Sequence, residues 1–427
     1  ITQVIITQDI TSARNRFDRF LMLTYFRRPV SRHFYFMSFS ISPASRLKSV
    51  EEYYFSTKLK QIAALRAAGT PVINLGIGSP DLAPSQETIE ALTSSAANPA
   101  NHAYQGYQGI PALREAFAAF YAKHYGVTVD PINEILPLIG SKEGIMHIAM
   151  AYLEAGDVTL IPNPGYPTYQ AACSLAGATV LAYELTEANG WLPDLDALDK
   201  QDLSKVKIMW VNYPHMPTGA KADLAFFTKL RDFAIQHSIL LVNDNPYSFI
   251  LNDNPISLLA VPGMKDVAIE LNSLSKSHNM AGWRIGAAFG RAELLGPVLK
   301  FKSNMDSGMF LPLQEAAVKA LSADAAWFAH QNEIYKTRQQ KVFELMDLLG
   351  CVYDPAQTGM FVWARIPASC ESGYALSDKI LEENAVFITP GGIFGSQGNG
   401  YVRISLCAKE EVFQTAIDRI KNQSNGI

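Results

Sequence analysis

Between residues 110 and 300 the chain alternates short apolar runs with stretches whose apolar positions recur every three or four residues. Leu113, Phe117, Phe120 and Tyr121 fall on one side of a helix predicted over 110–125, with Pro111 at its opening. Further helices are predicted over 141–153, entered from the apolar run 135–139, and over 222–237. The apolar runs predict strands at 158–161 (ended by Pro162), 206–211, 239–242, 267–271 and 286–289. Buried strands that alternate with helices predict an α/β domain around a mainly parallel sheet.

The flanks follow a different pattern. Residues 37–75 and the region after about 315 are richer in helix, with charged stretches such as 333–349, and strands are predicted at 359–363 and 401–405. This organisation predicts a large domain over 86–312 and a smaller α+β domain built from both chain ends, 37–85 and 313–427. Residues 1–36 stand apart: they carry Arg14, Arg16, Arg19, Arg27, Arg28 and Arg32, with aromatics crowded at 34–36. Met37 is the expected natural start, and 1–36 a dispensable extension.

Composition narrows the class. The chain has 427 residues, 48% of them hydrophobic, enough for a large core, and a net charge of −4, unlike the basic balance of a nucleic-acid binder. No apolar run approaches the roughly 20 residues of a membrane span. Cys173, Cys351, Cys370 and Cys407 show no Cys-x-x-Cys spacing, which fits free thiols in a reducing compartment, and a cytoplasmic location is expected.

The chemistry concentrates in Ser273-Leu-Ser-Lys276 and the arginine eight positions later, Arg284. A partly desolvated lysine can form a Schiff base with an aldehyde cofactor, and an arginine fork can hold a phosphate. Pyridoxal phosphate requires such a lysine, donors for its phosphate and a carboxylate for its ring nitrogen. Asp244 ends an apolar strand, where a carboxylate needs a partner. Tyr247, three residues on, could donate to the ring oxygen. Gly140-Ser141-Lys142 opens a helix, where backbone N–H groups favour a phosphate, and Ser273, Ser275 and Arg284 complete the cup. Tyr166 could stack on a flat ring. Arg403, in an alternating strand, needs an anion, and a substrate carboxylate fits it. These positions are expected at the carboxyl edge of the sheet, where open α/β sheets bind ligands.

The set of motifs Asn74-Leu-Gly-Ile-Gly-Ser-Pro-Asp81, Tyr104-Gln-Gly-Tyr-Gln-Gly109, Asn163-Pro-Gly-Tyr-Pro167, Met216-Pro-Thr-Gly219, Asp244-Asn-Pro-Tyr247, Ser273-Leu-Ser-Lys276 and Tyr401-Val-Arg403 resembles the class I/II aminotransferases of pyridoxal phosphate fold type I. The resemblance runs from about residue 73 to 404. It implies a three-layer α/β/α large domain, pyridoxal 5'-phosphate on Lys276, Asp244 at the ring nitrogen and Tyr247 at the ring oxygen. It implies Ser141, Lys142, Ser273 and Arg284 around the phosphate, Tyr166 against the ring, and Gly78 and Arg403 at the substrate carboxylate. It further implies a homodimer with shared active sites, in which Tyr104 reaches the partner's phosphate.

One position departs from the pattern. The family's ring-oxygen asparagine is Met216 here, and a thioether cannot donate that hydrogen bond. Tyr247 alone, or Asn212, His215 or Asn243, is expected to serve. The expected activity is a ping-pong transfer of an amino group between an L-amino acid and a 2-oxo acid, with 2-oxoglutarate and glutamate as one pair. Segment 302–310 resembles the loop of diaminopimelate- and aspartate-type members, which favour polar or dicarboxylic substrates; Lys302 and Asn304 are expected to be solvated loop residues, with contact to a distal polar group as the alternative. A carbon–sulfur β-lyase on the same fold is the alternative, and a regulatory binding module a remote one.

Overall fold

The computed structural model describes residues 40–50 and 54–424. The chain divides into Ile1–Ala44 and Ser45–Ile427, and every element described below belongs to the second unit. The reading of residues 1–36 lies outside the described residues.

The alternating pattern builds a seven-stranded sheet. Its strands are β1 (Ile135–Leu138), β2 (Val158–Asn163), β3 (Thr179–Glu184), β4 (Val206–Val211), β5 (Leu240–Asp244), β6 (Ala268–Ser273) and β7 (Gly286–Phe289), in the spatial order β1-β7-β6-β5-β4-β2-β3. β2 through β6 pair in parallel, and β7 runs against both β6 and β1. Successive residues of one strand feed opposite cores. Met209 and Leu241 pack with Phe117 of helix α1 (Pro111–Tyr125). Ile208, Trp210 and Val242 instead pack with Ile145 of α2 (Ser141–Tyr152) and Tyr169 of α3 (Pro167–Ala176). Burial on both faces is why these strands read as unbroken apolar runs, and it gives the expected three layers. The helix predicted over 222–237 is α4 (Leu224–His237), with Asp223 accepting from the Phe226 N–H at its start.

Two strand expectations are corrected. Pro162 does not end β2, which runs on to Asn163. The ladder with β4 stops at Leu160 and only the β3 side continues, an edge-like setting that tolerates proline. β3 itself was not predicted: it closes the sheet as a half-exposed edge, so its apolar signal is diluted.

A single-turn helix, α5 (Leu274–Ser277), follows β6 directly. Farther on, the long α6 (Ala325–Leu348) packs against a four-stranded antiparallel sheet. Its central strands are β8 (Phe361–Arg365) and β9 (Tyr401–Ser405), with Trp363 opposite Arg403. β8 begins two residues later than predicted because Gly359 turns with φ +83°. Residues 73–74 pair in parallel with 386–387, which brings the segment after residue 74 beside this second sheet.

Candidate active site

The carboxyl ends of the parallel strands open on one cleft of about 720 Å³. Asp244 is the last residue of β5, Ser273 the last of β6, and Lys276 sits in the turn of helix that follows. Tyr166 caps the start of α3 after β2, and Ser141 and Lys142 open α2 after β1. Arg284 precedes β7, and because β7 runs in reverse its start lies at the same edge. Tyr247, Gly78, Ser275 and Arg403 line the cleft too. Of the expected cofactor and substrate residues, all but Tyr104 meet here.

Asp244 is 5% exposed. Its Oδ2 accepts from the Tyr169 hydroxyl at 3.1 Å, and its Oδ1, also buried, has no hydrogen-bond partner among the described residues. Burial pushes the carboxyl up to about 6, partly offset by the hydroxyls of Tyr169 and Ser141 and then by the nearby Lys276 charge. Tyr169 was not identified from sequence. It lies one helical turn after Tyr166, and its ring stacks on Trp210 at 5.3 Å, which fixes the hydroxyl under Asp244. The repeat Tyr-Pro-Thr-Tyr at a helix start was the available signal.

Lys276 is half-buried, and its Nζ donates to the Gly78 carbonyl at 2.6 Å. Burial lowers its pKa most; Cys407 opposes that, the positive charges of Arg403 and Arg284 lower it further, and Asp244 opposes them. The amine is therefore neutral more often than a surface lysine at any given pH, which is the form that attacks a carbonyl.

The cradle beside it is shaped by backbone. Arg284 holds φ +57° and donates to the Ala281 carbonyl at 2.9 Å and to Ser275 Oγ at 3.3 Å. Ser273 Oγ in turn accepts from the Ser275 N–H. Gly140 sits at φ +80°, and a Cβ there would lie 2.3 Å from Arg284 Nη2. The guanidinium thus lies directly against the entry to α2, where the first N–H groups and the helix dipole favour an anion.

Arg403 is 4% exposed. Its guanidinium lies 3.9 Å from the Phe361 ring and 4.5 Å from Phe394, donates to the Gly76 carbonyl at 3.0 Å, and contacts Met216 Sδ at 3.1 Å. The two phenyl faces, which sequence reasoning missed, hold the fork in one plane by cation–π attraction. Their distance along the chain from Arg403 hid the contact.

Met216 does line the cleft, so the departure from the family pattern is at the site itself. Two of the proposed substitutes are committed elsewhere. Asn243 donates to Glu270 and accepts from the Tyr213 N–H. His215 pairs with Thr218 Oγ1 at 2.8 Å, and burial pushes it down to about 3. Asn212 lines the cleft, yet its amide donates to the Asp244 carbonyl and its oxygen accepts from the Met216 N–H. Tyr247 lines the same cleft.

Besides Tyr104, two residues weighed for a distal substrate contact, Lys302 and Asn304, lie outside the cleft of this chain. Tyr104 stands 91% exposed on a surface loop. Lys302 is buried and paired with Asp306 at 2.6 Å, which corrects the reading of a solvated loop lysine and leaves it no contact with the cleft, and Asn304 donates to the Lys300 carbonyl. The Glu143–His147–Asp306 group has metal-like spacing, but Asp306 already holds the Lys302 ammonium.

A flat cationic ring would satisfy Asp244 Oδ1, an attached phosphate would fill the Arg284 cradle, and an aldehyde between them would face Lys276. Pyridoxal phosphate fits those demands, and fold and cleft together define a pyridoxal-phosphate enzyme of fold type I. Residues 70–420 match the aminotransferase class I and II family, and the chain belongs to it. LL-diaminopimelate aminotransferases from Dehalococcoides mccartyi and Oleidesulfovibrio alaskensis are 40% and 42% identical over 379 and 383 residues, spanning 88% of this chain and 97% and 98% of theirs. Among solved structures, substrate-bound BacF from Bacillus is 38% identical with a TM-score of 0.85, covering 90% of this chain and 98% of that one. A probable N-succinyldiaminopimelate aminotransferase from Thermus thermophilus is 32% identical with a TM-score of 0.80, covering 86% of this chain and 99% of that one. The protein is a pyridoxal-phosphate-dependent aminotransferase.

A carboxyl whose folded pKa is raised favours folding below its unfolded value and loses that contribution as pH rises through about 6. Asp244→Asn is therefore expected to stabilise the cofactor-free protein at pH 8 by about 1–3 kcal/mol and to leave it unchanged near pH 4. Thermal unfolding at both pH values checks this, and equal shifts at the two would contradict it. Gly140→Ala is expected to weaken cofactor binding by at least about tenfold, because the new methyl displaces Arg284. Titration of the apo-protein with pyridoxal phosphate measures it, and unchanged affinity would contradict it.

Proposed function

We propose that this aminotransferase exchanges the amino group of LL-diaminopimelate with 2-oxoglutarate, forming glutamate, in two half-reactions. The observation that carries the reading is the convergence of Lys276, Asp244, Arg284 and Arg403 on one cleft. Near-full-length similarity to LL-diaminopimelate aminotransferases supports the substrate.

The positions of the groups support these roles. Arg284, Ser275, Ser273 and the start of α2 would hold the cofactor phosphate. Tyr166 would lie against the ring, Tyr247 would donate to the ring oxygen, and Asp244 would keep the ring nitrogen protonated. When bound, pyridoxal phosphate supplies an electron sink for the charge left when the α-proton departs. Arg403, held flat between Phe361 and Phe394, takes the substrate α-carboxylate as a two-pronged clamp beside Gly78. That clamp sets the α-carbon against Lys276, whose amine removes the α-proton and returns a proton as general base and then acid.

Two copies of the chain share the sites, with Tyr104 of the partner subunit reaching the phosphate. Tyr104, Tyr107, Met305 and Phe310 are exposed. Gly308 approaches the Gln105 backbone and His102 lies 5.6 Å from the Phe310 ring, so these side chains form one patch of the kind a second subunit covers. No described helix is long and apolar enough to cross a membrane.

The test is a panel of amino acids added to the holoenzyme without a second substrate, followed by loss of the cofactor's aldehyde absorbance. LL-diaminopimelate is expected to react at least roughly a hundredfold more efficiently than aspartate. Lys276→Ala is expected to slow the half-reaction by about 10³-fold or more, on the order of general acid–base and nucleophile loss. Arg403→Ala is expected to raise KM by about 10²-fold with cofactor still bound. Faster reaction with aspartate would overturn the substrate, and wild-type rates in Lys276→Ala would overturn the role of the lysine.

A further inference from the structure

The segment from Leu75 to Asp81 crosses the cleft as a strap, and its carbonyls touch the two cations of the substrate side. Gly76 O accepts from Arg403 Nη2 at 3.0 Å, and Gly78 O accepts from Lys276 Nζ at 2.6 Å. The strap has no slack at these points. A Cβ on Gly76 would lie 2.5 Å from the Phe387 ring, and one on Gly78 would lie 2.3 Å from the Phe361 ring that flanks Arg403.

What fixes the far end of the strap lies outside the cleft. Arg338 on α6 is 3% exposed, and its two terminal nitrogens meet the two carboxylate oxygens of Asp81 at 2.7 and 2.9 Å. The same guanidinium donates to the Leu406 carbonyl at 3.0 Å. Leu406 is three residues past Arg403 on the continuation of β9, and Ser405 between them donates its N–H to the Leu75 carbonyl at 2.8 Å. One planar group therefore sets the spacing between the strap and the strand that carries Arg403. A planar fork imposes that spacing with an angular precision that a single ammonium cannot match.

We propose that Arg338 and Asp81 are positioning residues for substrate binding: their forked ion pair holds the strap at the depth where Gly76 and Gly78 align Arg403 and Lys276 on the incoming amino acid. The role deepens the reading of Arg403 as the substrate clamp and rests on it. Neither residue lines the cleft, so their effect reaches the substrate through the strap.

The experiment is steady-state kinetics of reconstituted Arg338→Lys, Asp81→Asn and the double variant, with LL-diaminopimelate as amino donor. Arg338→Lys keeps the charge and loses the fork. Each single variant is expected to raise KM by about 10–100-fold with kcat within about threefold of wild type, since a small misplacement of a binding group costs up to about 10²-fold. Cofactor affinity and the absorbance of the bound cofactor are expected to stay as in wild type. The double variant is expected to be no worse than the poorer single one, because both changes break one contact. Unchanged KM in the folded variants, with or without a lower Tm, would overturn the proposal, as would additive losses in the double variant. If Arg338→Lys does not fold, Asp81→Asn decides alone, and an unchanged KM there overturns it. Arg403→Ala separates the two claims: failure of that variant to weaken the amino acid would sink the clamp itself, whereas a strong Arg403 effect beside silent Arg338 and Asp81 variants would sink the strap alone.

Discussion

A carboxylate buried at the end of a strand is an unstable thing until a cation or a proton reaches it, and the site is organised around that constraint. Asp244 has one oxygen held by Tyr169 and the other buried without a partner among the described residues. In the bare chain the penalty appears as a pKa raised to about 6. A protonated pyridine nitrogen removes the penalty without a conformational change. The Tyr169 hydroxyl, fixed by the stack of its ring on Trp210, holds one carboxylate oxygen in place, and Asn212 ties down the Asp244 backbone carbonyl. Electrostatic preorganisation of this kind costs nothing at the moment of reaction.

The remaining charges of the cleft are cations, and their crowding has a use. Arg403 and Arg284 both lie near enough to Lys276 to depress its pKa. Each arginine would suit an anion of the proposed ligands, the phosphate for Arg284 and a carboxylate for Arg403. The lysine is the member of the set that can shed its proton, so repulsion falls on the one group whose chemistry needs the neutral form. The loss of a ring-oxygen donor at Met216 leaves this arrangement intact, because the sulfur packs against Arg403 and Tyr247 remains available.

Much of this was legible in the sequence. The alternation of buried runs and amphipathic helices encodes the parallel sheet, since strands covered on both faces must be apolar throughout. The strand-end positions of Asp244 and Ser273 then place Lys276 at the carboxyl edge. What stayed hidden was set by tertiary contact. Tyr169 looks like any core tyrosine until its hydroxyl is seen under Asp244. Phe361 and Phe394 read as ordinary apolar residues, and their role exists only because β8 and the turn near residue 394 close around Arg403. Lys302 read as a solvated loop lysine or a substrate contact, and burial against Asp306 makes it neither. The Arg338–Asp81 pair joins residues 257 positions apart, with no local signal at either end.

The central claim is that Asp244 supplies its charge to a protonated ring nitrogen. The direct measurement is nitrogen NMR of the holoenzyme loaded with pyridoxal phosphate labelled with ¹⁵N in the ring. The account predicts a ring nitrogen that stays protonated to about pH 9 in the wild type, a shift of a few units by a buried charge partner, and loses that proton in Asp244→Asn. A wild-type ring nitrogen that is unprotonated at neutral pH would contradict it.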